Sequence, residues 1–392
     1  MNKFLLRAFE GTLILFALSV ALTMFSMATG DEESQQLWGL NYSYYLVPLL
    51  GVNLLIIFSH LSAFRLGGMN KYVLIWMIWV SLSALLISRN HFLTLIRVSI
   101  WTTSYFAAYI LARSNRKAID SIVKVFVIIY IISFFFFWQG KIVQSVEFKY
   151  GFESTSNAIY CLVTIIPILM LLKKKWLVLI IMLLTFVSTI FSGKRGATLI
   201  LLFTLVPQLK SIFSKKKKST GRTVLMIVLV VALTYLLFYV SQNVLSGTLM
   251  NRFADDETGS GRTFIWLRTL NAFDSSAFFE QLFGHGYYAV NSLGEASAAH
   301  NDFIEVLYDY GLLGLLIYTL IHVYLVVKTF KLRKSKKLLF LPYMVMYMVF
   351  FIMSMVSILI VQQRYLIYMA VFWGMLEGCN YNYQYQISDS KK

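Results

Sequence analysis

Arginine and histidine residues set at the edges of apolar stretches carry the chemical signal of this sequence. Arg195 stands in Phe191-Ser192-Gly193-Lys194-Arg195-Gly196, a very short turn between two apolar segments. Its flanking glycines allow close backbone approach, and the segment that follows offers helix N-terminal amides to an anion. Arg262 follows Gly259-Ser260-Gly261 and precedes Trp266. Arg268 lies six residues on, nearer two helical turns than half a turn, which predicts that the two arginines face broadly the same way. His300 stands in Ala299-His300-Asn301-Asp302-Phe303-Ile304-Glu305, at the start of another apolar run. Asn301 or Asp302 can cap the helix that begins there, and Asp302 with Glu305 has capping-box spacing, with Asp in place of Ser or Thr. Guanidinium forks grip pyrophosphate oxygens two at a time, and the grip strengthens as negative charge develops on a departing group. Nearby arginines disfavour a charged imidazole, so His300 is expected to be neutral. A neutral imidazole can take a proton from an attacking hydroxyl, a role that contributes about 10²–10⁴-fold in rate.

Each of these residues also has a plainer reading. Lys194 reads as an interfacial lysine whose ammonium snorkels to the headgroups. Arg252 and Arg268 can pair with Asp255, Asp256 or Glu257 as solvated surface charges. Arg262, placed after a glycine turn, reads more readily as functional. A lone interfacial histidine is often a polar anchor, but the special features around His300 set it apart. His285, between Gly284 and Gly286, is a weaker candidate, and His60, His91 and His322 read as structural. Gly311 and Gly314 read as tight helix packing with no direct chemical role. Tyr287, Tyr288 and Tyr150 can stack on sugar rings, but 24 tyrosines make this undiscriminating. No Walker loop, HExxH motif or cysteine pair is present, so nucleotide hydrolysis and zinc proteolysis find no support. Asp255-Asp256 has few ligands beside it for a divalent cation. No metal and no cofactor is expected. Cys161, inside an apolar span, and Cys379 define neither a disulfide framework nor a zinc site.

The elements that must position these groups are membrane helices. The chain of 392 residues is 58% apolar and 14% charged, with a mean hydropathy of +0.70, too little polar surface for a soluble fold. Four prolines and little polar/apolar alternation argue against a membrane barrel. Apolar stretches near the roughly 20 residues needed to cross a bilayer fall at Gly11–Thr29, Leu37–Ser59, Tyr72–Ser88, Leu93–Ala112, Ile119–Trp138, Asn157–Leu172, Trp176–Ser192, Ala197–Phe213, Thr223–Ser241, Asp302–Val327, Leu338–Leu359 and Ile360–Glu377. The expectation is an all-α polytopic membrane protein of about 12 spans. Gln362, Gln363 and Arg364 interrupt the last long run.

The formal net charge of +17 lies in short basic runs between spans, the pattern of cytoplasmic loops and not of a nucleic-acid surface. With Lys3 and Arg7 inside, the loops bearing Arg65 and Lys71, Arg113 to Lys117, Lys173 to Lys175, Lys210 to Arg222 and Lys328 to Lys337 all fall inside, as does the C-terminus. Lys194, Arg195, Arg262, Arg268, His300 and Arg364 then fall outside. Ser26-Met27-Ala28 gives the first span a signal-peptide look, but its apolar stretch is long and it is read as a retained span. The organisation is therefore nine spans in residues 1–241, a long outer loop at 242–301, three spans in 302–377 and a cytoplasmic tail at 378–392. Connections as long as the outer loop are usually functional or disordered. Phe264, Ile265, Trp266, Leu267, Leu270 and Phe273 have helical spacing and predict a short amphipathic helix, Thr263–Phe273, on the outer membrane surface.

Ser192-Gly193-Lys194-Arg195 in a short outer turn, Gly261-Arg262 with Trp266 four residues later, Gly284-x-Gly286, and His300-Asn301 followed by Gly311-Leu312-Leu313-Gly314 resemble the O-antigen ligase/polymerase family, the bacterial enzymes called WaaL and Wzy. The resemblance covers roughly Ser192 to Tyr318. It implies a GT-C-like, metal-independent membrane glycosyltransferase of the bacterial inner membrane. Such an enzyme uses undecaprenyl-pyrophosphate-linked glycans at the periplasmic face. It further implies that Arg195 and Arg262 bind pyrophosphate and that His300 helps activate the acceptor. Arg268 and Gly284 fit an Arg-x15-Gly spacing of the family, and Lys194, Arg268, Asn301, Tyr287 and Arg364 complete the set as substrate-binding residues. Implied partners are the lipid-linked oligosaccharide, membrane lipids and a chain-length regulator protein. Within the family a polymerase extends a lipid-linked repeat unit and a ligase transfers the glycan to a lipid A-core sugar; the polymerase is favoured. The rival of another class is a flippase or transporter, which would place ionisable residues at the bilayer midplane and show repeated halves. A structural scaffold gives no reason for Arg195, Arg262 and His300.

Overall fold

The computed structural model describes residues 3–29, 42–87, 91–115, 117–147, 157–213, 262–294, 298–334 and 339–379. Among these, all regular structure is helical. The helices are α1 (Lys3–Thr29), α2 (Leu46–Ser59), α3 (Met69–Leu86), α4 (His91–Ser114), α5 (Lys117–Glu147), α6 (Ile159–Leu169), α7 (Lys175–Phe191), α8 (Arg195–Phe213), α9 (Arg262–Asp274), α10 (Phe278–Phe283), α11 (Asp302–Lys334), α12 (Phe340–Val356) and α13 (Gln363–Gly378). Short 3-10 turns lie at Tyr42–Tyr45, Leu61–Ala63 and Ala289–Leu293.

Among the described residues five segments are long and apolar enough to cross a membrane, Lys3–Ser26, Met69–Leu86, His91–Ser114, Lys117–Val143 and Asp302–Lys334. The chain is thus a multi-pass membrane protein. The expectation of twelve spans rested on apolar content, which does not report helix continuity. Thr223–Ser241 lies outside the described residues. Several other stretches form shorter helices: α6 has 11 residues, α7 and α12 have 17 each. At ~1.5 Å per residue α6 covers about 17 Å, less than the ~30 Å hydrocarbon core. The long apolar run after Leu338 is broken at residues 357–362, between α12 and α13.

A helix that is apolar all round belongs inside a bundle. Every residue of α13 from Gln363 to Glu377 is buried, as is α4 from Ile100 to Ala112. These two helices cross closely and form the middle of the molecule, flanked by α2 and α3, with α6 against α5, α7 and α13, and α12 against α8 and α11. Lipid gives no hydrophobic drive between helices, so packing and interhelical hydrogen bonds hold them together. Asn53 Nδ2 donates to Ser104 Oγ at 2.9 Å, and Tyr105 Oη donates to Asn70 Oδ1 at 2.6 Å. At the opposite end from His300, Lys328 pairs with Glu377 at 3.1 Å.

Helix α11 is interrupted at Gly311, with φ 69° and ψ −172°. That conformation is essentially restricted to glycine. A break in a helix leaves carbonyls unpaired, and here each finds an outside donor. His285 N–H donates to Tyr308 O at 3.0 Å, Gly286 N–H to Asp309 O at 2.9 Å, and the Trp79 indole to Tyr310 O at 3.2 Å. A Cβ at Gly311 would run into the Leu282 carbonyl. Gly311 is therefore a kink that docks the end of α10, where a helix-packing glycine was expected. The predicted amphipathic helix forms as α9, with Phe264, Leu267 and Leu270 exposed and Thr269 buried. Those three apolar residues face away from the protein, while Trp266 and Phe273 pack against Val290, Ala299 and Tyr308.

Candidate functional site

His300 is held in the left-handed region, φ 53°, one of two non-glycine residues with positive φ among those described. Residues on both sides clamp it there. Ala299 donates its N–H to Glu305 Oε2 at 2.7 Å, and its carbonyl accepts from the Trp266 indole at 2.7 Å. On the other side Asn301 Oδ1 accepts from the amides of Phe303 at 2.9 Å and Ile304 at 3.4 Å. Asn301 is thus the helix cap. The expected capping box of Asp302 with Glu305 does not form, because Asn301 already fills the cap and Glu305 reaches back to Ala299. Strain of this kind persists only where the surroundings over-determine it.

Two cations bear on this imidazole. Burial first, then the Arg262 guanidinium and the Lys194 ammonium, hold His300 below the usual imidazole range. Arg262 is the first residue of α9 and also lies within Coulombic reach of the Tyr160 hydroxyl. The same hydroxyl abuts the start of α8. A Cβ at Gly196 would sit 3.3 Å from Tyr160 Oη and 3.0 Å from Val356 Cγ2, so the backbone here lies close against both side chains. Arg195, the first residue of α8, immediately precedes that contact. Lys194, Arg262 and His300 are therefore brought together, with the α8 N-terminus and Tyr160 beside them.

Asp302, freed from capping, ties this cluster to the turn between α12 and α13. Its Oδ1 accepts the Ile360 amide at 3.1 Å and its Oδ2 accepts the Tyr318 hydroxyl at 2.9 Å, with Ser354 Oγ also 2.9 Å from Tyr318 Oη. Tyr287 holds the same turn from the loop side, donating to Val361 O at 3.4 Å and accepting from Gln363 Nε2 at 3.1 Å. That loop is anchored by Asp309, whose carboxylate accepts the amides of Tyr288 at 2.7 Å, Ala289 at 2.9 Å and Val290 at 3.3 Å.

Other sequence-predicted residues sit apart. Arg268 shares α9 with Arg262 but does not face the same way: at ~100° per residue, six residues leave about 120° between them. Its Nη1 lies over Gly294, while Nε and Nη2 are buried without hydrogen-bond partners. Arg364 turns into the bundle, with Nη1 3.5 Å from Met24 Sδ and its guanidinium 5.4 Å from the Tyr365 ring centre. His285 stacks on Tyr308 at 4.3 Å and hydrogen-bonds Ser276 Oγ at 2.8 Å. His322 is buried against Phe350, Tyr318 and Phe303. Arg252, Asp255, Asp256, Glu257 and Tyr150 lie outside the described residues. Among the described residues no three His, Cys, Asp or Glu side chains gather as a metal site requires. Sequence reasoning missed Tyr160 and Asp309, and the tertiary roles of Asp302 and Glu305. The signal for the acids was their burial in an apolar run, where a carboxylate needs donors.

No curated protein matches the chain. Residues 177–319, from α7 through the helical break at Gly311, match the family model Wzy_C, described as O-Antigen ligase. That segment contains Lys194, Arg195, Arg262, Arg268, Tyr287, His300 and Asn301, and its match supports the resemblance to the O-antigen ligase/polymerase family.

Proposed function

We propose that this protein is a membrane glycosyltransferase that moves a glycan from a polyprenyl pyrophosphate carrier to an acceptor hydroxyl, at the outward face of the bacterial inner membrane. The observation that carries the reading is the clamped His300, held below the usual imidazole range by burial and by Arg262 and Lys194, next to the N-terminus of α8. In the reaction the acceptor oxygen forms a bond to the donor sugar's anomeric carbon. The bond from that carbon to the phosphate oxygen breaks, and its electron pair leaves with the pyrophosphate. His300 takes the acceptor proton. Arg262, Lys194 and Arg195 are assigned to bind the pyrophosphate, whose charge grows as the bond breaks. Asn301, by capping α11, holds the strand of chain that bears His300. Arg268, which lies over Gly294 apart from this cluster, is given no role at the pyrophosphate. The basic loops at the other end of the spans support the orientation.

The favoured acceptor is a second lipid-linked repeat unit, which makes the protein a polymerase. Transfer to a lipid A-core sugar is the second reading, favoured by the description of the matched family model. Reconstitution with a defined lipid-pyrophosphate-linked repeat unit tests both. Longer products indicate a polymerase, transfer to added lipid A-core a ligase, and unchanged but relocated lipid a flippase, which overturns the reading. His300→Ala at normal abundance is expected to abolish transfer; normal chain lengths in that variant remove the base assignment.

A further inference from the structure

The outward side of α10 has no use in the proposed chemistry. Phe278 and Phe279 are 70% and 71% exposed, Phe283 is exposed beside them, and no residue of this helix is buried. Phe279 stacks on Phe283 at 6.3 Å, and Phe283 stacks on the Trp79 ring of α3 at 5.6 Å. These contacts set the depth of α10. Helices α3 and α11 run antiparallel, since Tyr72 meets Tyr324, Trp76 meets Tyr318 and the Trp79 indole donates to the Tyr310 carbonyl. The Leu86 end of α3 therefore lies on the His300 side. At ~1.5 Å per residue α3 covers about 27 Å, nearly the ~30 Å hydrocarbon core, and Trp79 stands about 10 Å short of that end. The end of α10 is thus level with the spans and not above them.

Two apolar stripes lead to the same place. Ile75, Ile78, Leu82 and Leu85 are exposed at helical spacing on α3, as are Leu312, Leu316, Leu320, Val323 and Val327 on α11. Both helices are long and apolar enough to cross a membrane, so these stripes face acyl chains. Trp79 borders the first stripe, about 40° round the helix from Ile75. Gly311, where α10 docks, immediately precedes the second. The three phenylalanines join the stripes into one apolar surface. The backbone beside them also suits lipid, where non-helical chain is tolerated only if protein groups satisfy it. The Glu280 carbonyl accepts the Gly284 amide at 2.7 Å, the broken helix accepts those of His285 and Gly286, and Asp309 takes those of Tyr288, Ala289 and Val290. Glu280, the charged residue of α10, folds back to accept the Ala277 amide at 3.0 Å.

We propose that α10 is a lipid anchor that dips below the headgroups, with Phe278, Phe279 and Phe283 among the phospholipid acyl chains of the leaflet on the His300 side. A depth of about 10 Å is at the deep end of the ~5–10 Å to which interfacial helices bury their apolar faces. The anchor holds the loop from Gly284 to Leu293 at a fixed level, and through Tyr287 it steadies the turn between α12 and α13. It does not depend on the glycosyltransferase reading.

The test uses the full chain in vesicles of phosphatidylethanolamine and phosphatidylglycerol, with a nitroxide attached at Phe279→Cys. Cys161 and Cys379 are buried, and the unsubstituted chain is the blank for any labelling of them. Collision of the nitroxide with oxygen, which concentrates among acyl chains, is compared with collision with a water-soluble nickel chelate. Ile78→Cys, on the exposed stripe of α3, is the lipid standard, and Lys331→Cys, at the exposed charged end of α11, is the water standard. The oxygen-to-nickel ratio at Phe279→Cys is expected to match the lipid standard and to exceed the water standard. A ratio equal to the water standard overturns the anchor. Poor collision with both reagents also overturns it, because protein then covers the patch; spin–spin broadening that disappears on dilution with unlabelled chain identifies that cover as a second copy. If Phe279→Cys does not fold, Phe278→Cys is read against the same two standards.

Discussion

Replacing Gly311 by alanine is expected to destabilise the protein and loosen the loop that faces the site. Alanine at φ 69° and ψ −172° carries a backbone penalty of about 1–3 kcal/mol. Its Cβ also meets the Leu282 carbonyl and the Gly284 amide, which are backbone atoms and cannot swing aside. Relief requires the end of α10 to part from α11, which breaks the hydrogen bonds from His285 to Tyr308 and from Gly286 to Asp309. Two such bonds contribute about 0.5–1.5 kcal/mol each, for a total of about 2–6 kcal/mol. In a thermal melt followed by tryptophan fluorescence the expected fall is about 3–10 °C. Gly11→Ala is the control. It lies inside α1 with nothing within 4 Å of its Cβ position, and is expected to be neutral or to stabilise by about 0.5–1 kcal/mol. Melting curves for Gly311→Ala and Gly11→Ala that coincide would refute the reasoning.

Trp266→Phe removes the indole donor to Ala299 and loosens one side of the His300 clamp. We expect kcat to fall about 10–100-fold with KM within about twofold, and an unaltered kcat would show that the clamp does not position the imidazole. Asp302→Asn and Tyr318→Phe break one 2.9 Å contact from either end, so a double-mutant cycle on stability should give a coupling of about 1.5–3 kcal/mol. Strictly additive losses would count against the Asp302 bracket.

Helix content and much of the helix placement were legible in the sequence, because apolar runs and basic loops report directly on the bilayer. The spacing of Phe264, Ile265, Trp266, Leu267, Leu270 and Phe273 predicted a helix over Thr263–Phe273, and α9 spans Arg262–Asp274. Helix continuity was less legible. α6 stops after 11 residues inside an apolar stretch, and residues 357–362 leave the helix where Gln362 stands. At the site, residue types identified the groups able to do chemistry but not their partners. Asp302 read as half of a capping box because the spacing with Glu305 allows one; Asn301 competes for the same amides and wins, which sends Asp302 to Ile360 and Tyr318. Arg262 and Arg268 read as one face until the helical angle between them is counted.

The closest test of the convergence of Arg262, Lys194 and His300 is the ionisation of His300 itself. With histidine carbons isotopically labelled, its resonance can be assigned by loss in His300→Gln and titrated in detergent micelles. Because burial and two cations disfavour the charged ring, His300 is expected to titrate below the usual value of about 6.5. Removing a cation relieves repulsion, so Arg262→Gln and Lys194→Gln should each move the midpoint to higher pH, while Arg268→Gln leaves it in place. A wild-type midpoint at or above that value, or one that neither Arg262→Gln nor Lys194→Gln moves, would contradict the convergence of these three groups on one site.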